Sequence, residues 1–268
     1  MPLENLLLLQ NRFPMELNQK LFDCMAPAAE NVTVDQVTLG LGYTAVTTAR
    51  GDIGIAATGV AVDACCGSNI DSIDYEGRPA IDLLHQILAH EPMARTMALA
   101  LINALNCHQV QELPEDADNR VLFDRFKLLS GARVAMVGYF PPLVRLLESA
   151  KVPLTVVDDA KGVGDKAIFY DRLDGWADAL LITATSIVNN STETILSHAG
   201  PGLKTVLLGP STPMLAQAFA HLPVHMLAGS ALTDREKVLK IVRHGGGAHL
   251  LKAASRKVYR LTGLGRSM

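Results

Sequence analysis

A chain of 268 residues, 49% hydrophobic and 19% charged, carries enough apolar material for a sizeable core and is not a disordered or low-complexity sequence. Its 24 basic and 27 acidic residues sum to −3, which leaves no electrostatic footprint for nucleic acid. The longest apolar run near the start, Leu6 to Leu9 beside Glu4, is too short for a signal-peptide core or a membrane span, so no membrane partner is expected.

In chain order, Pro14 to Ala26 reads as one amphipathic helix. Asn31 to Thr58 is β-rich, with alternation at Val32, Val34, Val37 and Leu39 and a tight turn at Arg50-Gly51-Asp52. It predicts a three-stranded antiparallel meander. Gly40, Gly42, Tyr43 and Thr44 interrupt that pattern, marking either a close backbone approach or a bend needed for sheet curvature. Two helical patterns follow, one on Ile81, Leu84, Ile87 and Leu88 and one on Met97, Leu101, Ala104 and Leu105. Pro92 separates them. Residues 1–110 therefore read as an α+β domain, and Gln111 to Arg120, polar and acidic with Pro114, as a linker.

Residues 111–268 alternate continuous apolar strands with helices, the signature of an α/β domain with a parallel sheet covered on both faces. The strands are expected at Arg133–Phe140, Leu154–Asp159, Ala177–Val188, Leu203–Gly209 and Val224–Gly229. After the fourth, Gly209-Pro210-Ser211-Thr212-Pro213 predicts a capped helix start, with Ser211 or Thr212 at the N-cap and Pro213 in the first turn. From Ala248 onward there are five basic residues and no acid, which predicts a solvated terminal helix or, alternatively, an arm that docks a partner.

Ligands of an open parallel sheet bind beyond the carboxyl ends of its strands. Gly138 follows the first strand without a glycine-rich dinucleotide fingerprint. Asp158 ends the second, and reads equally as a ribose-gripping carboxylate or a turn cap. Thr183, Thr185, Ser186, Asn189, Asn190, Ser191 and Thr192 crowd the end of the third; helix capping uses one or two of these groups, not seven. Gly209, Ser211 and Thr212 are expected to offer amides and hydroxyls to an anion.

Metal-ligand spacing is absent. His221 and His225 are split by Pro223, His244 and His249 flank three glycines, and Cys65 and Cys66 are adjacent. His85, His90, His108 and His198 stand alone, so no site assembled from protein ligands is expected. Cys24, Cys65, Cys66 and Cys107 show no paired spacing and read as reduced cytoplasmic thiols. Nucleophile-elbow, Walker A and HExxH patterns are missing as well, and no catalytic residues are assigned.

The segments GLGYTAVTT, GDIGIAAT, ALALINALN, VGYFPPLVRLL, ITATSIVNNSTETIL and LLGPSTPM together resemble a family of domain-of-unknown-function proteins labelled for heavy-metal chelation, over about Leu17 to His249. The resemblance implies an N-terminal domain similar to that of enolase, a Rossmann-like C-terminal domain and a site in the cleft between them. Its characteristic positions look like Gly42, Tyr43, Thr44, Asn103, Gly138, Thr185, Asn189, Gly209, Ser211, Thr212 and Pro213. The leading expectation is a cytoplasmic protein, a homodimer by the commonest symmetry, that binds a small anionic or metal-chelating molecule. Gly209, Ser211 and Thr212 would hold the anion, Thr185, Ser186 and Asn189 would donate hydrogen bonds, and Asp158 would take a hydroxyl or amine. The rival is a transferase or lyase acting on a nucleotide-like or amino-acid-derived substrate, with a metal ion, S-adenosylmethionine or a nucleotide as cofactor.

Overall fold

The computed structural model describes residues 15–59 and 74–266; the Leu6–Leu9 run, Pro14, Cys65 and Cys66 lie outside them. Helix α1 (Leu17–Ala29) starts three residues later than the pattern suggests. It buries Leu17, Leu21, Met25 and Ala29, a stripe at four-residue spacing. Strands β1 (Val34–Leu39), β2 (Tyr43–Thr48) and β3 (Ile53–Ala57) form the expected antiparallel meander, with Leu39 opposite Thr44 and Tyr43 opposite Ala57. Then come α2 (Ala80–Leu84), a 3-10 turn at His85–Leu88, α3 (Pro92–Leu105) with proline in its first turn, and α4 (Cys107–Gln111).

Helix α5 (Arg120–Arg125) leads into the second sheet: β4 (Val134–Val137), α6 (Pro141–Ser149), β5 (Leu154–Val157), α7 (Lys166–Leu173), β6 (Ala179–Thr183), α8 (Thr185–Val188), α9 (Thr192–Ser197), β7 (Lys204–Leu208) and β8 (Met226–Leu232). Helices α10 (Arg235–Arg243) and α11 (Ala248–Leu251), strand β9 (Ser255–Leu261) and α12 (Gly263–Arg266) complete it. The strand order is β5-β4-β6-β7-β8-β9, parallel except for β9, which runs antiparallel to β8. The chain enters at β4, steps to β5 on one side and crosses to β6 on the other, so the order reverses between β4 and β6. Among the described residues, no helix is long and apolar enough to cross a membrane.

Alternate side chains of this sheet feed two cores. Val134, Met136, Leu181 and Val206 face α5 and α6, packed with Phe126, Leu143 and Leu147. Ala135, Leu180, Ile182 and Leu207 face the other way, into a core that also holds Leu17 and Leu21 of α1, Leu83 of α2 and Leu99 of α3. The meander is covered on both sides for the same reason. Val46 and Ala56 join that shared core, while Tyr43, Ala45, Ile53 and Ile55 pack on Val238, Leu239 and Val242 of α10 and Leu251 of α11. Every residue of β2 is buried as a result.

The C-terminal edge differs from the terminal helix expected there. The basic segment forms short helices at Ala248–Leu251 and Gly263–Arg266, with β9 between them. Two of its cations are held against the chain: Arg256 donates to the carbonyls of Gln111 and Leu113, and Lys257 Nζ reaches Asn119 Oδ1 at 3.0 Å. Flanking cations also guard a sheet edge against pairing with other chains. The stretch read as a linker is bonded along the same strand, through Asp116 N–H to the Lys257 carbonyl and Tyr259 N–H to the Pro114 carbonyl.

Candidate functional site

At the β4/β6 reversal the two strand ends are drawn together by a glycine. Gly138 adopts φ +89°, and a Cβ there would stand 2.9 Å from Cβ of Thr183, so a larger residue is excluded twice over. Thr183 Oγ1 lies 3.1 Å from Thr185 Oγ1 and accepts the Thr185 amide at 3.3 Å, which turns the chain into α8. Asn189 stands exposed at the end of that helix. Ser186 points inward and pairs with buried Thr192 at 2.8 Å. One strand further, Gly209 adopts φ +121° with open space where a side chain would project.

Asp158 is engaged as a cap. Its Oδ2 accepts the Tyr139 amide at 2.8 Å and meets Lys161 Nζ at 3.2 Å, and its Oδ1 accepts the Lys161 amide at 3.2 Å. Of the two roles its position allowed, turn capping is the one these bonds perform.

The helix expected to start at Pro213 does not form. After the Thr212 amide bonds back to the Gly209 carbonyl, Met214 and Leu215 plunge into the core, and only a 3-10 turn at Ala216–Phe219 follows. Ser211 and Thr212, each 3% exposed, face the seam between the sheets. Ser211 Oγ accepts the Ala57 amide at 2.7 Å, and Asn103 Nδ2 donates to the carbonyls of Ile55 and Ser211 at 2.9 and 3.2 Å. Thr212 Oγ1 is buried without a hydrogen-bond partner among the described residues. It lines a cavity of about 20 Å³ together with Ile55, Asn103, Cys107, Met214 and Ser230. That volume admits one water-sized particle and no organic molecule.

Gly42, Tyr43 and Thr44 make their contacts elsewhere. A Cβ on Gly42 would lie 2.7 Å from the Gly246 carbonyl, so glycine here serves the close approach of the loop after α10. Tyr43 is buried against α10, and that burial pushes its phenol up to about 12. Thr44 Oγ1 sits 3.1 Å from Thr58 Oγ1, which donates to the Gly40 carbonyl.

Two features carry no signal in local sequence. Arg95 of α3, 6% exposed, donates Nε to the Val188 carbonyl at 2.5 Å and Nη1 to the Ala89 and His90 carbonyls at 2.6 and 2.7 Å. Among the described residues no carboxylate forms a salt bridge with it, so a guanidinium charge sits beside the last residue of α8; burial lowers its proton affinity, opposed through space by the Glu91 carboxylate. Second, Asp52, Cys107 and His108 come together across the junction of β3 and α4, with one ligand atom of each within 4.8 Å of the others. The spacing of the sequence gives no sign of this cluster, whose ligand atoms could hold an ion. Asp52 and His108 are 56 positions apart, and only the packing of the meander on α3 and α4 joins them.

A model of the DUF364 family, described as "Putative heavy-metal chelation", matches residues 121–261, more than half of the chain. The chain belongs to the DUF364 family. A DUF4213 model with the same description matches residues 22–106. Two solved DUF364 proteins of unknown function share the fold. One from Pyrococcus horikoshii is 22% identical with a TM-score of 0.77, over 92% of this chain and 100% of the other. One from Desulfitobacterium hafniense is 17% identical with a TM-score of 0.73, over 92% and 98%. An uncharacterized protein of Methanocaldococcus jannaschii is 28% identical over 172 residues, and this DUF364 chain spans 64% of that relative's length.

A heavy-metal ion suits the donor set that the DUF364 chain presents at Asp52, Cys107 and His108. Thiolate and imidazole select soft and borderline ions over Mg²⁺ or Ca²⁺. Burial, followed by the Asp52 charge, holds the Cys107 thiol up at about 11.

Proposed function

We propose that this DUF364 protein is a cytoplasmic metal-handling protein that binds a small anionic, metal-chelating molecule at the β4/β6 reversal, between its two sheets. The observation that carries the reading is Arg95. Its buried guanidinium donates only to carbonyls, and the Glu91 carboxylate acts on it through space rather than through a salt bridge, so a further anion close by is favourable. It lies behind α8, whose exposed end brings Asn189 and Thr185 to the rim. Gly138 lets the ends of β4 and β6 approach closely and Gly209 leaves open space at the end of β7, on the side where doubly wound sheets take their ligands. Ser211 and Asn103 act from beneath, fixing the turn after β7 to β3 rather than touching the ligand.

Citrate, alone and with Ni²⁺, is a direct probe. A ligand that binds only the folded chain raises stability by RT ln(1 + [L]/Kd), about 2.7 kcal/mol at one hundred times Kd. Thr185→Val with Asn189→Ala removes one half-buried and one exposed rim group and is expected to weaken citrate binding by roughly five- to thirty-fold, with a ligand-free stability loss of about 1 kcal/mol from the broken Thr183–Thr185 bond. Equal affinity in wild type and double variant, measured by calorimetry, overturns this placement.

A further inference from the structure

The turn before β3 sets a carboxylate against the start of α4. Asp52, whose side chain is 5% exposed, accepts the Thr48 hydroxyl on Oδ2 at 2.9 Å. Its other oxygen, Oδ1, faces His108 Nε2 at 2.8 Å and Cys107 Sγ at 3.6 Å. The carboxylate is thus fixed by a second bond, the thiol is half-buried on the cavity wall, and the imidazole, 84% exposed, forms the solvent side. The three donors differ in depth but converge on one point.

We propose that Asp52, Cys107 and His108 form a three-ligand site for a soft or borderline divalent cation of the Zn²⁺, Cd²⁺ or Co²⁺ class, open to solvent at a fourth position. Bond lengths of about 2.0–2.3 Å place the donors of a tetrahedral site roughly 3.3–3.7 Å apart. The Cys107–Asp52 separation of 3.6 Å already matches. The His108–Asp52 separation of 2.8 Å is a direct hydrogen bond, and the exposed imidazole needs only to swing outward to admit an ion between them. Binding releases the thiol proton to solvent, and the ion takes its place against the carboxylate. Three protein ligands hold an ion while leaving one coordination position for exchange, which suits delivery or capture better than permanent structural storage.

The proposal deepens the metal-handling reading, on which it rests for the class of metal, and its test separates the two. The full chain is titrated with Co²⁺ in the absence of any organic chelator, with optical spectra and equilibrium dialysis. One Co²⁺ per chain with a near-ultraviolet thiolate-to-metal band is expected. That band is expected to vanish in Cys107→Ser, and affinity to drop at least ten-fold in His108→Ala, a solvent-side change that leaves the core intact. Zn²⁺ and Cd²⁺ should displace the Co²⁺ band stoichiometrically. A band that survives Cys107→Ser assigns the metal to another thiol and overturns the site, as does Co²⁺ affinity unchanged in His108→Ala. Thr185→Val with Asn189→Ala should leave Co²⁺ titration unaltered. A wild-type chain that binds citrate but no Co²⁺ therefore sinks this inference alone, and a wild-type chain that binds Co²⁺ but no citrate sinks the reading of the β4/β6 rim alone.

Discussion

The Ser211 hydroxyl accepts the amide hydrogen of Ala57 at 2.7 Å, tying the turn after β7 to the last residue of β3. The two residues lie 154 positions apart, and the bond replaces the one a fourth meander strand would have made with Ala57. Ser211→Ala leaves that amide unpaired in the seam. The expected loss is about 1–3 kcal/mol, read in urea as a lower midpoint at constant slope. Thermal unfolding should fall by about 2–4 °C for each kcal/mol. A midpoint equal to wild type would show that water satisfies Ala57 as well as serine does.

Arg95 gives a second stability prediction on the opposite side of the same interface. Its three carbonyl acceptors come from α8 and from the segment before α3, so one side chain joins both sheets' surroundings. Arg95→Met removes the charge and strands three acceptors, with an expected loss of roughly 3 kcal/mol or more. Arg95→Lys keeps the charge but presents a point donor instead of a fork, and should recover only part of it. Equal denaturation curves for the lysine variant and wild type would rule out the geometric role given to the guanidinium.

How far the sequence discloses this molecule depends on the range of the force involved. Alternation at Val32 and Val34, resumed out of phase at Val37 and Leu39 after the bulge between Val34 and Gln36, and the Arg50–Asp52 turn mark the meander, because those signals act between neighbours. Apolar runs ending in Gly138 or Gly209 mark strand ends in the same local way. The Pro213 helix fails because burying Met214 and Leu215 outweighs a favourable cap. Basic β9 carries a helical pattern in isolation, and only its pairing with β8 makes it an edge strand in which Arg256 and Lys257 find partners. Arg95 and the Asp52–Cys107–His108 cluster left no local trace, since their partners are brought in by tertiary packing.

Two glycines three residues apart separate backbone strain from steric exclusion. Gly51 has φ +86° with nothing near its missing side chain, so Gly51→Ala carries only the conformational term, about 1–2 kcal/mol. Gly54 faces α3 so closely that a Cβ would stand 2.1 Å from the Ala104 nitrogen and 2.2 Å from the Ala100 oxygen. Neither backbone atom can rotate away. Gly54→Ala is expected to force β3 off α3, with a loss of roughly 3 kcal/mol or more. Comparable denaturation midpoints for the two variants would contradict the close packing of β3 on α3.

Glu193 supplies a pH dependence whose sign follows from its surroundings. It is buried in α9, and its Oε1 accepts the Leu17 amide at the start of α1 at 2.7 Å. Burial raises its proton affinity above the ordinary value of 4.5, against the opposing pull of the backbone amides of Leu17, Glu193 and Glu16. The folded chain therefore binds this proton more tightly than the unfolded chain does. Stability from this group is fully present below pH 4.5 and is lost as pH rises through the folded value. Glu193→Gln keeps an oxygen for the Leu17 amide but cannot ionise. Its unfolding free energy, measured in urea at intervals from pH 4.5 to 7, should decline less with pH than that of wild type. Parallel curves across that range would mean that the Glu193 charge is as well solvated in the folded chain as in the unfolded one.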